Sequence, residues 1–145
     1  MSNEAIISVQ LQVRIGSLNY QSLPPSYYGN ISVANGPSPG VVTATPAGTV
    51  VAFTQLKVPG YFRIMNLQAV GSPGYVEHGP WNGTDFFPYE ELLPGETYVG
   101  RFSRNLGQEF IGTASSSTHV GPKEIMVKAH GAGGNIAVLI ECFDS

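Results

Sequence analysis

Residues 60–96 read GYFRIMNLQAVGSPGYVEHGPWNGTDFFPYEELLPGE. Tyr61 to Leu67 is a short run of aromatic and aliphatic residues broken by polar ones, the signature of a strand. Gly71, Pro73 and Gly74 then impose a turn, and Pro94-Gly95 closes the stretch with another. Between these turns lie Glu77, Asp85, Glu90 and Glu91, interleaved with Tyr75, Trp81, Phe86, Phe87 and Tyr89. No apolar residues recur at i, i+3 and i+4, so no amphipathic helix is expected. Strands punctuated by glycine and proline, with an acidic aromatic segment carried between them, predict an all-β fold.

The same reading extends in both directions. Ile7, Val9, Leu11, Val13 and Ile15 alternate with Ser8, Gln10, Gln12 and Arg14. This predicts one amphipathic strand within residues 1–16. The alternation favours a strand laid over the core; the other reading is an N-terminal arm that pairs with a neighbouring subunit's sheet edge. Ser17 to Gly40, with Pro24-Pro25 and Asn35-Gly36, reads as a long loop with a short strand at Asn30 to Ala34. Loops of that length in compact domains are often contact surfaces.

Further strands are expected at Val41 to Thr45 and Thr49 to Leu56, in short pieces around Val76 and Phe86, and at Thr97 to Arg104. Gln108 to Ala114 and Lys123 to His130 follow, and a hairpin through Gly131 to Gly134 leads into Asn135 to Phe143. About eight to ten short strands with regular turns imply a single antiparallel β-sandwich, jelly roll or small barrel over residues 1–145.

Composition narrows the function classes. Charged residues make up 12% of the chain, about half the usual share, while Gly (18) and Pro (11) are abundant. A net charge of −3 and scattered Lys and Arg argue against nucleic-acid binding, which draws its affinity from basic groups on phosphates. The single cysteine, Cys142, excludes an intramolecular disulfide and predicts assembly in a reducing compartment. The start MSNEAIISV has neither a basic n-region nor an apolar h-region, so no signal peptide is expected, and no apolar run is long enough to cross a bilayer.

Candidate chemistry is sparse. Gly36-Pro37-Ser38-Pro39-Gly40 has the letters of a G-x-S-x-G nucleophile elbow. That elbow needs an N–H on the residue after the serine for its oxyanion hole, and Pro39 has none. His78, His119 and His130 lie far apart with no metal-binding spacing, so no metal or cofactor is expected. The acidic aromatic segment permits a glycosidase using Glu77 or Asp85 with Glu90 or Glu91. It also permits a carbohydrate-binding platform on Tyr75, Trp81 and Tyr89. The third reading is core plus interface: Phe86, Phe87 and Tyr98 inward, Trp81 and Tyr89 on loops at a contact.

The layout resembles a family of small virion structural proteins of tailed bacteriophages. The resemblance rests on Gly60-Tyr61 through Asn66-Leu67, Tyr75-Val76-Glu77-His78-Gly79, Phe86-Phe87-Pro88, Leu92-Leu93-Pro94-Gly95-Glu96, and the closing pair Ile125 to Ala129 and Ile136 to Cys142. The chain departs from that layout by an insertion carrying Trp81 and by a Ser/Thr/Gly segment from Gly112 to Gly121. The resemblance implies a non-enzymatic head-decoration (cement) protein of the virion, made in the host cytoplasm. It would act as a trimer on the major capsid protein, without nucleic acid, membrane or cofactor; a tail or neck accessory role is the alternative. The expected contact residues are Tyr20, Tyr27, Tyr28, Trp81, Phe86, Tyr89, Glu90 and Glu91.

Overall fold

The computed structural model describes residues 4–22, 26–30, 36–56, 59–102, 124–131 and 134–144. These residues form β1 (Glu4–Ser8), β2 (Gln12–Ile15), β3 (Leu18–Gln21), β4 (Ser26–Asn30), β5 (Ser38–Ala44) and β6 (Thr49–Val51). They continue as β7 (Pro59–Asn66), β8 (Tyr75–Trp81), β9 (Glu90–Leu92), β10 (Thr97–Arg101), β11 (Glu124–His130) and β12 (Ile136–Asp144). No helix occurs among the described residues, so none there is long and apolar enough to cross a membrane.

Two four-stranded antiparallel sheets, ordered β10-β7-β12-β5 and β6-β11-β8-β9, make the body. Their inner faces share one apolar core: Phe62, Ile64, Val138, Ile140 and Cys142 from one sheet meet Val51, Val76, Leu92, Ile125, Val127 and Ala129 from the other. Period-two alternation puts them there, because β7 buries Phe62, Ile64 and Asn66 while Tyr61, Arg63 and Met65 face out. In register, Ile64 lies opposite Ile140, and Phe62 opposite Cys142. Among the links joining β5 to β12 in succession, only β8–β9 stays within one sheet; every other crosses to the facing sheet. The sandwich is therefore laced together along its length, not built from independent hairpins.

A line of rings crosses the core. Phe53 packs on Phe102 at 5.7 Å, Phe102 stacks on Phe62 at 3.8 Å, Phe62 meets Tyr98 at 5.7 Å, and Tyr98 meets the His78 imidazole at 5.2 Å. Tyr98 therefore faces inward as expected. Phe53 reaches this line because β6 ends at Val51 and residues 53–56 turn, Leu56 N–H donating to the Phe53 carbonyl at 3.0 Å. The strand expected over Thr49 to Leu56 is thus cut short by a turn that its composition did not announce.

The N-terminal expectation needs a larger correction. The single strand predicted within residues 1–16 is two strands, β1 and β2, interrupted at residues 9–11. Among the described residues β1 pairs with β4 and β2 pairs with β3, each in a two-stranded sheet of its own. Its apolar face is not laid over the core: Val9, Leu11 and Ile15 are exposed, and Ile7 and Val13 are only partly covered. Alternation identifies an amphipathic strand, but it does not say whether anything in the same chain covers that strand. The long loop expected from Ser17 to Gly40 likewise contains β3 and β4. The strand expected at Asn30 to Ala34 coincides with described structure only at Asn30, the last residue of β4. The expectations at Gln108 to Ala114 and Gly112 to Gly121 lie outside the described residues.

Candidate functional site: the β8–β9 edge

The acidic aromatic segment folds as a hairpin along the end of one sheet. Asn82 makes its tip: its side-chain Oδ1 accepts from Thr84 N–H at 2.8 Å and from Asp85 N–H at 2.7 Å, an Asx-type turn, and Gly83 takes the left-handed φ of +100°. Trp81 and Phe86 then pair as an isolated bridge. Phe87 N–H donates to the Pro80 carbonyl at 3.0 Å and Tyr89 N–H to the His78 carbonyl at 2.9 Å. β9 continues the pairing, with His78 opposite Glu90, Glu77 opposite Glu91 and Val76 opposite Leu92.

Between the pairs Trp81–Phe86 and His78–Glu90, residues 87–89 oppose residues 79–80, which is a β-bulge. Gly79 makes the bulge possible, since a Cβ there would collide with the Phe87 carbonyl oxygen. The bulge and Pro88 turn Phe87 outward, so that it is 52% exposed and Tyr89 71% exposed. The expectation that Phe87 packs inward is corrected on this point, and Trp81 is the half-buried end of β8 and not a loop residue. A bulge has no sequence signature beyond Gly79 and Pro88, so the outward turn of Phe87 is not legible in the sequence.

The far end of the hairpin is clamped. Leu93-Pro94-Gly95-Glu96 is a tight turn in which Glu96 N–H donates to the Leu93 carbonyl at 2.9 Å and Gly95 holds φ +83°. The Glu96 carboxylate accepts from Leu93 N–H at 2.8 Å. The fully buried Asn66 donates through Nδ2 to the Leu92 carbonyl at 3.0 Å and accepts from Gln68 N–H at 3.0 Å. Its backbone is bound to the same turn, Gly95 N–H donating to the Asn66 carbonyl at 3.1 Å. The Asn-Leu and Leu-Leu-Pro-Gly-Glu pieces are therefore framework that fixes the edge.

Inside the edge, His78 is buried with its Nε2 lacking a hydrogen-bond partner, and Glu90 Oε2 lies 3.7 Å away. That separation is too long for a hydrogen bond, so burial dominates and pushes the imidazole down to about 4. Burial also raises the Glu90 carboxyl.

The remaining predicted residues divide. Trp81, Phe86, Tyr89, Glu90 and Glu91 are brought together on this hairpin. Tyr20 is exposed on β3, in a different sheet, and Tyr27 and Tyr28 lie on β4 opposite Ile7 and Ile6. Of the carboxylates weighed for glycosidase chemistry, Glu77 sits 2.7 Å from His130 Nε2, whose ring stacks on Tyr75 at 4.9 Å, and Glu91 is exposed. No hydrogen bond accompanies that approach at His130 Nε2. Among the described residues no three His, Cys, Asp or Glu side chains are grouped to hold a metal. No protein-family model, no curated protein and no solved structure matches the chain.

Proposed function

We propose that this chain is a non-enzymatic structural protein of a bacteriophage virion. The specific reading is a head-decoration protein that grips the major capsid protein as a closed oligomer, a trimer. One observation supports it: the β5 to β12 strands form two antiparallel sheets ordered β10-β7-β12-β5 and β6-β11-β8-β9, the order that an eight-stranded jelly roll would have. That architecture is recurrent in viral capsid and lectin domains. The exposed, rigidly held edge supplies the contact chemistry. Phe87 and Tyr89 are aromatic anchors of the kind that dominate interface energies, and Glu90 and Glu91 form a polar rim beside them.

The same fold and the same exposed rings support a second reading, a carbohydrate-binding module that stacks sugars on Tyr89. Co-sedimentation with purified expanded heads, run beside a glycan array, separates the two. The decoration reading predicts saturable binding to heads and none to glycans. Glycan binding lost in Tyr89→Ala, with no head binding, would replace it; binding to purified tails or necks in place of heads would move the protein there.

A further inference from the structure

β9 is the end strand of its sheet and only three residues long, and its two sides are held unequally. At Leu92 the buried Asn66 amide and the Leu93–Glu96 turn fix the backbone. Toward Phe86 the bulge at Gly79 spaces out the ladder, which is carried there by Phe87 N–H on the Pro80 carbonyl and Tyr89 N–H on the His78 carbonyl. Residues 86–90 are therefore an arm hinged at Leu92. Short edge segments of this kind are the first to open in a native protein.

His78 lies behind that arm. It is opposite Glu90 on β9 and Val127 on β11, so the His78 and Glu90 side chains project to the same face. Glu90 forms the rim: its side chain is 32% exposed and that of His78 5%. Of the groups facing the imidazole, Glu90 Oε2 is at 3.7 Å and the Tyr98 ring of β10 at 5.2 Å, while Val127 is uncharged. From β7 and β12 the core receives one further titratable side chain among the described residues, the Cys142 thiol opposite Phe62. With the arm closed, no acceptor reaches Nε2, and burial holds the ring's proton affinity down to about 4. Glu90 does not compensate, because its carboxyl is raised by burial and gives up its charge as the pH falls. With the arm swung out, the ring meets water and binds a proton near its ordinary 6.5.

We infer that the β8–β9 edge is an acid-opened switch, in which protonation of His78 swings residues 86–90 off β8 and carries Phe87 and Tyr89 with them. Both exposed aromatic anchors then leave their rigid setting together, so acid releases the head contact. That release rests on the decoration reading above; the opening does not.

The test is amide exchange of Phe87 and Tyr89 in the full chain, as protection corrected for the pH dependence of intrinsic exchange. The two proton affinities make the opening equilibrium rise about 20-fold between pH 7 and pH 5. Protection of both amides should fall by that factor and stay independent of low urea concentrations, the mark of a local opening. The Asn66 N–H, bonded to the Glu96 carbonyl on the clamped side, should stay better protected and respond to urea. Glu90→Gln should keep the fall and His78→Gln should lose it; the wild type and Glu90→Gln decide the matter even where His78→Gln does not fold. Wild type should release purified heads at pH 5, and His78→Gln should hold them. Protection that is unchanged or higher at pH 5 would overturn the inference, as would a fall that urea accelerates in step with Asn66 or one that Glu90→Gln abolishes. A local fall with heads still held at pH 5 would overturn the switch. A chain that opens as described but binds heads at neither pH would remove the decoration reading and leave the opening standing.

Discussion

The side-chain amide of Asn66 reaches across the sandwich to the carbonyl of Leu92 at 3.0 Å, joining the end of β7 in one sheet to the end of β9 in the other. Both groups are buried, so each depends on the other for the hydrogen bond that water would otherwise supply. Asn66→Ala would orphan the Leu92 carbonyl and the Gln68 N–H and leave a small void. It should cost about 2–4 kcal/mol, read as a lower urea midpoint at unchanged slope. A loss within experimental error would mean that the clasp does not hold the edge.

Gly79→Ala should destabilise the same edge from its other side. The added methyl meets backbone at the Phe87 carbonyl, which cannot yield as a side-chain tip can. A cost of about 1–3 kcal/mol is expected, with hydrogen exchange rising first at Phe87 and Tyr89, whose N–H groups bond to β8. Uniform exchange across both sheets would contradict a local role for Gly79.

His78 makes stability depend on pH. The unfolded side chain takes up its proton near 6.5, and the folded one only near 4, because burial disfavours the charge. In that window the unfolded chain binds the extra proton, so stability is full above about pH 6.5, falls as pH drops to about 4, and then levels off. The total is about 3 kcal/mol. Glu90, raised by burial, works in the opposite direction in the carboxylate range, but it is largely solvated and the weaker influence. Denaturation midpoints between pH 7 and 4 should decline in the wild type and flatten in His78→Gln; equal slopes would sink the assignment.

What the sequence made legible was the framework. The alternation in β7, β11 and β12 and the turn at Pro94-Gly95 were enough to place those strands and β10, whereas β9 was not expected and β6 was expected to run to Leu56. Three things were hidden for physical reasons. The bulge at residues 87–89 depends on Gly79, a tertiary neighbour, so the outward turn of Phe87 could not be read locally. The burial of His78 comes from its register against β9 and the ring of Tyr98. The break at residues 9–11 leaves the pattern of alternation intact, so two strands read as one.

Phe87→Ala and Tyr89→Ala should separate contact from folding. Both side chains are exposed, so stability should change by no more than about 0.5 kcal/mol. Head binding in co-sedimentation should fall at least about tenfold for the pair, as expected for aromatic anchors. Undiminished binding would place the contact elsewhere on the chain.

The most direct test of the account is an image of the native particle at a resolution that places this chain. The account predicts closed rings of the protein on the outer head shell, with the Phe87–Tyr89 edge of each copy against the major capsid protein. Absence from the head, or rings with that edge turned to solvent, would contradict it.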